Sequence, residues 1–362
     1  MVKRHFDLFD DFANFAALDV AATRAARGKR GKASVARFLA NREREVVALC
    51  DALHNGSWQP GRYRVMQLTD PKPRMISAAP FRDRVLHHAL CDVVAPIFER
   101  GFTDDSFANR IGFGTHRAIA RYERYRDRYA WVLRCDIWRY FPAIDHDALK
   151  WDLRRRIGCP RTLDVLDKIV DSANAQEPVN LYFKGDDLFS PFARRRGLPI
   201  GNLTSQLFGN VYLNAMDHFI REVLRIPGYV RYVDDFALFS NDRAKLEDCR
   251  NCLDAWLDGR RLRLHPHKTR LEASCLPTEF LGMVLMPQGR RLPAANVTRF
   301  RSRLRGLRDR WQAGTIVEDE VRRRVGAWLA HAAHADTQAL RATLFRSGWF
   351  SPPKLEGRAA GS

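Results

Sequence analysis

Two adjacent carboxylates, Asp234 and Asp235, sit between apolar runs within residues 231–240, and a third, Asp136, closes the apolar run 131–136. Residues 228–233 and 236–239 read as strands, which puts the Asp pair at the tip of a tight hairpin. Asp is tolerated in turns for its own local reasons, so the pair alone is equally well explained as a plain turn. A third acid at the end of another strand changes that balance. If the two strands are neighbours, three carboxylates converge at one sheet end, where like charges repel and raise pKa values unless cations lie between them. Hard oxygen ligands suit Mg²⁺, which is held by one or two carboxylates plus substrate phosphates. Two such ions can activate a primer 3′-hydroxyl and stabilise the leaving pyrophosphate, which is the chemistry of a nucleic-acid polymerase.

The rest of the chain must supply the elements that bring those acids together. Residues 1–60 read as helices, with Phe6, Leu8, Phe9, Phe12 and Phe15 as an apolar stripe, a basic turn at 27–32 and one helix over 35–55. Residues 62–80 read as a strand pair, and 81–98 as a helix burying Val85, Leu86, Ala89 and Leu90, with His87 and His88 as packing or surface residues. Residues 147–196 read as helices followed by a basic loop. There Asp186 and Asp187 are discounted as catalytic, because they lie in a polar loop and not between strands. Asp145 and Asp147 read as a helix cap and a surface charge. A helix is expected over 242–257, a hairpin arm over 280–285 and helices over 294–347. Six arginines fall within 299–310, beside the apolar stripe Phe300, Leu304, Leu307 and Trp311. His331 and His334 read as packed residues at a helix end.

Of the 362 residues, 46% are hydrophobic and 28% charged, and the formal net charge is +19. That length allows two or three packed subdomains. The positive excess fits a polyanionic partner bound in a salt-dependent way. No run approaches the ~18 apolar residues of a spanning helix, so no membrane partner is expected. The first residues carry no signal-peptide core, and seven scattered cysteines form no secreted disulfide framework, so a cytoplasmic protein is expected. Cys249 and Cys252 make a lone C-x-x-C without a second ligand pair, and zinc is not expected.

Asp136 with Phe141 resembles motif A of reverse transcriptases, and Tyr-Val-Asp-Asp at 232–235 resembles their motif C. The resemblance runs from about Lys72 to the end of the helical C-terminal region. It implies an α+β right-hand polymerase with fingers, palm and thumb, an antiparallel palm sheet and a helical thumb. The implied boundaries are a helical N-terminal extension (1–61), fingers (62–130) and a palm (131–290), the palm with a finger insertion at about 150–196 and a primer grip at 280–285. A helical thumb (291–347) and a disordered tail (348–362) follow.

The resemblance implies RNA-templated DNA synthesis with two Mg²⁺ ions on Asp136, Asp234 and Asp235, helped by the backbone carbonyl of Ile137. Arg74, and less so Lys72, would meet the incoming triphosphate, since a guanidinium grips phosphate oxygens bidentately. Phe141, five residues after the acid, would face the nucleotide sugar and clash with a 2′-hydroxyl. Residues 196–210 match motif B, whose Gly201 lets backbone approach the templating base pair. That motif ordinarily opens with Gln-Gly and ends with Ser-Pro; here it opens with Ile200-Gly201 and ends with Ser205-Gln206. The departure resembles the reverse transcriptases of diversity-generating retroelements, in which an aliphatic residue in place of Gln accompanies error-prone copying of template adenines. An amide there can hold nucleotide geometry by hydrogen bonding and Ile200 cannot, so a mispair loses less. Lys268 fits the motif D lysine, a proton donor to pyrophosphate, with a solvated or phosphate-neutralising lysine as the open alternative.

Arg299, Arg301, Arg303, Arg305 and Arg308 resemble a thumb helix gripping duplex backbone by charge. The implied partners are template RNA, primer, cDNA product, dNTPs and a pentameric basic accessory protein. Two alternatives remain open: a defence-associated or domesticated intron-like reverse transcriptase, and a basic RNA-binding scaffold without catalysis.

Overall fold

A computed structural model describes residues 3–69, 73–173 and 179–346. Lys72, the Arg74 side chain and the 348–362 tail lie outside the described residues. The fold mixes helices and strands and divides into two compact units, residues 1–125 with 129–272 and residues 126–128 with 273–362. Among the described residues, no helix is long and apolar enough to cross a membrane.

The first unit holds two sheets. Strands β1 (Arg64–Leu68) and β2 (Arg74–Ala78) pair antiparallel. The larger sheet has β3 (Trp131–Asp136), β4 (Gly228–Tyr232), β5 (Asp235–Ser240) and β6 (Arg270–Ala273) in the order β4-β5-β3-β6. β5 pairs antiparallel with β4 and with β3. Phe236, Ala237, Leu238 and Phe239 are all buried, as befits a central strand covered on both faces. The Arg243–Gly259 helix contributes Leu246, Leu253 and Leu257 to the core beneath it. Helix starts are marked by side-chain caps: Asn14 accepts from Ala17 N–H (2.9 Å), Asp145 from Ala148 N–H (2.9 Å) and Asp242 from Lys245 N–H (3.1 Å).

Two sequence expectations are corrected here. The helix over 35–55 is two helices, Ala33–Ala40 and Arg42–His54, broken at Asn41. The Asn41 amide donates to Arg37 O (3.3 Å), a local bond that competes with helix continuation. His331 and His334 are exposed, not packed. The inward face of the Glu318–Ala332 helix is formed by Val321, Val325, Trp328 and Ala332, and that spacing turns His331 outward.

The second unit contains β7 (Thr278–Phe280), β8 (Met283–Met286) and β9 (Gly289–Arg291) in one antiparallel sheet. Leu281 (φ +50°) and Gly282 (φ +80°) form the two-residue loop between β7 and β8, the backbone of a type I′ hairpin. Three helices follow, Ala294–Gln312, Glu318–Ala332 and Gln338–Phe345. Phe300 stacks on Trp328 at 3.7 Å, and Leu304 and Leu344 pack in the same cluster.

His87, on the Phe81–Glu99 helix, is buried, and its Nδ1 has no hydrogen-bond partner among the described residues. Burial, with His88 and Arg84 nearby, pushes its pKa down to about 3. A His kept neutral in the fold gives stability that is complete above the unfolded value and lost as pH falls toward the folded one. The stability of the wild type is therefore expected to fall between pH about 6.5 and about 3, with His87 adding up to about 1.4 kcal/mol per pH unit to the slope. His87→Leu should flatten that limb, as read by urea midpoints across the range.

Candidate active site

The hairpin β4–β5 turns over two residues, Val233 and Asp234, since Tyr232 and Asp235 are already paired. Of the two, Val233 alone has a positive φ, +60°. That is the pattern of a type II′ turn, whose first position glycine ordinarily fills. A β-branched residue held there stores strain on the order of 1–3 kcal/mol and persists only where its surroundings impose it.

What imposes it is Arg231. Its side chain is fully buried, as is that of Asp217 on the Leu203–His218 helix. Nε and Nη2 of Arg231 donate to the two Asp217 oxygens, both at 2.6 Å. Nη1 donates to Val233 O (3.0 Å), within the strained turn, and to Asn210 Oδ1 (3.3 Å). Tyr229 OH donates to Asp217 Oδ1 at 2.7 Å. The backbone of Arg231 is held as well, its N–H donating to Asp105 O (2.7 Å) and its carbonyl accepting from Phe107 N–H (2.9 Å).

The strand register puts Asp136 directly opposite Asp235. Residues so paired share a face of the sheet, so these two carboxylates lie side by side. Asp234 is joined to them through its backbone, where Ile137 N–H donates to Asp234 O at 3.1 Å. Burial pushes the Asp235 pKa up to about 7; Arg134 and Lys268 oppose this, and the Asp234 and Asp136 charges add to it. Lys268 Nζ lies 2.7 Å from Asp136 Oδ2. Arg134 also reaches Glu272 at 3.2 Å. Among the described residues, no trio of Asp, Glu, His or Cys groups is gathered tightly enough to hold an ion by itself. The donor set nevertheless fits Mg²⁺, because the acids are crowded and under-neutralised, and this ion takes only one or two carboxylates and completes its shell with substrate phosphates and water.

The residues expected from the sequence to face a nucleotide are Phe141, Ile200, Gly201 and Gln206. Phe141 is half-buried; its ring would be 3.3 Å from a Cβ on Gly209, and its carbonyl accepts from Leu198 N–H (2.9 Å). Gly201 has φ +113°, and a Cβ there would meet Ile76 Cγ2 at 2.9 Å, so both backbone and space require glycine. Ile200 is half-buried and its carbonyl accepts from Ser77 N–H (2.9 Å), whereas Gln206 is exposed. Arg74 opens β2, the strand on which Ser77 lies.

Sequence reasoning missed Asn202. Its side chain is buried, accepts from Ala79 N–H (3.1 Å) and donates to Ser77 O (2.8 Å), tying the Gly201 loop to β2. It also missed Arg231 and Asp217, for which a signal existed: opposite charges embedded in otherwise apolar runs of a strand and a helix. Asp186 is confined to structure, accepting from Phe183 N–H (2.7 Å) and pairing with Arg194 and Arg261. In the second unit, considered by itself, Arg301, Arg303 and Arg305 are exposed on the Ala294–Gln312 helix and Arg299 and Arg308 are half-buried.

Removing one partner of a buried pair strands the other, at a cost of about 3–5 kcal/mol, whereas replacing both by apolar residues is often neutral. Asp217→Leu alone is therefore expected to destabilise by that amount, and Asp217→Leu with Arg231→Met to regain most of it. Because the double variant also loses the bond to Val233 O, its amides at 233–235 should exchange hydrogen faster than wild type despite a similar denaturation midpoint.

The model of a sequence family described as reverse transcriptase (RNA-dependent DNA polymerase) matches residues 68–285. Protein YkfC of Escherichia coli (strain K12) is 26% identical over 270 residues, covering 63% of this chain and 67% of its own length. The group II intron-encoded protein LtrA of Lactococcus lactis subsp. cremoris is 22% identical over 184 residues, covering 50% of this chain and 29% of its own. Among solved structures, apo telomerase from Candida tropicalis aligns with a TM-score of 0.46 at 12% identity, over 63% of this chain and 47% of that one. This chain thus spans less than a third of the intron-encoded relative and under half of the telomerase chain.

Proposed function

Because this chain belongs to the reverse transcriptase family, we propose that it is an RNA-directed DNA polymerase that copies a structured template RNA into cDNA. The observation that carries the reading is Asp136 set opposite Asp235 on adjacent strands, with Asp234 at the tip of the hairpin between β4 and β5. On this reading β3–β6 form the palm, β1 and β2 belong to the fingers, β7 and β8 are the primer grip, and the Ala294–Gln312 helix belongs to the thumb.

Bound at the three carboxylates, two Mg²⁺ ions would supply the positive charge that favours an ionised primer 3′-hydroxyl and neutralises the leaving pyrophosphate. The protein's own groups do the rest. Asp136 and Asp235 present oxygens from a rigid ladder, and Asp234 from a turn that Arg231 holds. Arg74 neutralises the triphosphate. Lys268 balances Asp136 until substrate arrives, and its ammonium then lies within the site as proton donor to pyrophosphate. Phe141, backed by Gly209, limits the space beside the sugar. The exposed arginines of the Ala294–Gln312 helix hold duplex backbone without reading sequence.

We further propose the diversity-generating form of this activity, with a pentameric accessory protein, on the strength of Ile200. The pocket wall at that position is aliphatic, and its carbonyl is already occupied by Ser77 N–H. A second reading, a domesticated intron-like enzyme with ordinary fidelity, is favoured by the likeness to the intron-encoded LtrA.

Primer extension on a defined RNA template with Mg²⁺ tests these readings. Asp234→Ala should reduce dNTP incorporation by at least about a hundredfold, the scale of losing one preorganised electrostatic group; unchanged extension would take Asp234 out of the reaction, and no extension by either protein, even on its native RNA with an accessory protein, would leave the RNA-binding scaffold. Phe141→Ala should raise rNTP use relative to dNTP by roughly 10- to 100-fold, a steric discrimination of the usual size. Sequenced products should carry errors opposite template adenines, and Ile200→Gln should reduce them several-fold; accurate copying by the wild type would favour the intron-like enzyme.

A further inference from the structure

Between the segment carrying Phe141 and the Gly201 loop, the chain leaves a ridge of large apolar side chains in water. Leu188, Phe189 and Phe192 are 68%, 71% and 66% exposed, and Tyr182 is 46% exposed. Phe189 and Phe192 sit three residues apart on one helical turn, Phe192 N–H donating to Phe189 O at 2.9 Å. The backbone beneath them is closely tied. Asp187 Oδ1 accepts from Phe189 N–H (3.0 Å), Ser190 N–H (2.7 Å) and Ser190 Oγ (2.6 Å). Tyr182 OH donates to Leu188 O at 3.2 Å, and Asp186 pairs with Arg194 at 2.5 Å. A loop bonded in this way presents its rings instead of folding them inward, and a contiguous exposed apolar patch marks an interaction surface.

Charge identifies what covers it. Phe183, beneath the ridge, lies under the guanidinium groups of Arg194, Arg261 and Arg263, each 5.2–5.5 Å from its ring centre. Lys184 and Arg195 are exposed beside the ridge. Residues 182–196 carry Lys184, Arg194, Arg195 and Arg196 against Asp186 and Asp187, and Arg261 and Arg263 face the same segment; Asp171 and Asp258, which pair with Arg195 and Arg263, leave the balance around the rings positive. A partner with flat apolar faces and regular negative charge matches both features, and unpaired nucleic acid has them: bases stack on aromatic rings while phosphates meet Lys and Arg. The segment also leads into the nucleotide pocket, Gly197 N–H donating to Ile144 O (2.8 Å) and Leu198 N–H to Phe141 O (2.9 Å).

We propose that Tyr182, Leu188, Phe189 and Phe192 form a stacking platform for unpaired template RNA. This rests on the RNA-template reading above and adds a contact surface to it.

The test is fluorescence anisotropy of the full chain, without metal or dNTP, on an unpaired oligoribonucleotide and on an abasic oligomer of equal charge. Phe189→Ala with Phe192→Ala should weaken RNA binding at least about tenfold, in line with the loss of one to two stacked bases, and leave abasic binding unchanged. Phe189→Trp with Phe192→Trp should bind RNA as well as wild type, and both variants should keep the wild-type thermal midpoint. Lys184→Ala with Arg195→Ala should weaken both oligomers and flatten the salt dependence. Equal RNA affinity of wild type and the alanine variant would overturn the platform. So would an equal loss on the abasic oligomer, a larger loss on the same-sequence DNA, or an oligomeric state that changes with the alanine pair and so assigns the ridge to a second copy. Wild type that binds no unpaired RNA would bring down the template reading itself, an outcome distinct from the platform alone failing.

Discussion

A guanidinium with no exposure to water cannot stand without a counter-charge, and Arg231 meets that requirement through Asp217, the one carboxylate at bonding distance among the described residues. The cost of removing two ions from water is several kcal/mol each, and good geometry only about returns it. An apolar pair would fill the same core volume with less electrostatic risk. What it could not do is donate to Val233 O. The buried pair therefore makes sense as a device for a turn that a β-branched residue should resist, and through that turn it fixes the backbone between Tyr232 and Asp235. The same guanidinium reaches Asn210, whose amide donates to Ala108 O at 2.8 Å, so the Leu203–His218 helix, the central hairpin and the 105–108 segment are locked around one cation.

The acids at the end of the hairpin pose the opposite problem, too many charges of one sign. Burial and its two neighbours push Asp235 up to about 7, so near neutral pH the group balances between its charged and neutral forms. Lys268 and Arg134 relieve the crowding but do not remove it. A site left in that condition has unused affinity for further positive charge. Under-neutralised carboxylates on a rigid ladder suit cations whose remaining ligands are a substrate's phosphates.

Much of this was legible in the sequence because it is carried by local pattern. Strands ending in Asp136 and flanking Asp234 and Asp235 follow from apolar runs interrupted by acid, and the β7–β8 hairpin from alternation around Leu281-Gly282. The hidden parts depend on partners far away in the chain. Asn202 reads as an ordinary helix-start residue until Ser77 and Ala79, more than a hundred positions earlier, are seen at its amide. Asp217 and Arg231 are only 14 positions apart, and the apolar runs around them hint at burial, but that the two charges meet depends on how the helix packs on the strand. Asn41 was missed for a different reason: a single side-chain bond to Arg37 breaks a helix whose apolar period runs on undisturbed.

Asn202 also shows how two distant tasks share one frame. Ser77 donates its N–H to Ile200 O and gives its own carbonyl to Asn202, while Ala79 donates to the same side chain. The loop carrying Ile200 and Gly201 is thereby fastened to the strand that Arg74 opens, and the Ile76 methyl lies so close that only glycine fits at 201. A displacement of that strand must carry the loop with it, because three hydrogen bonds and a steric contact join them through six residues. Whatever neutralises a triphosphate from the strand and whatever shapes a base pair from the loop are consequently not independent. In the proposed pocket, an aliphatic Ile200 in place of an amide would alter what can be bonded there without loosening how the loop is held.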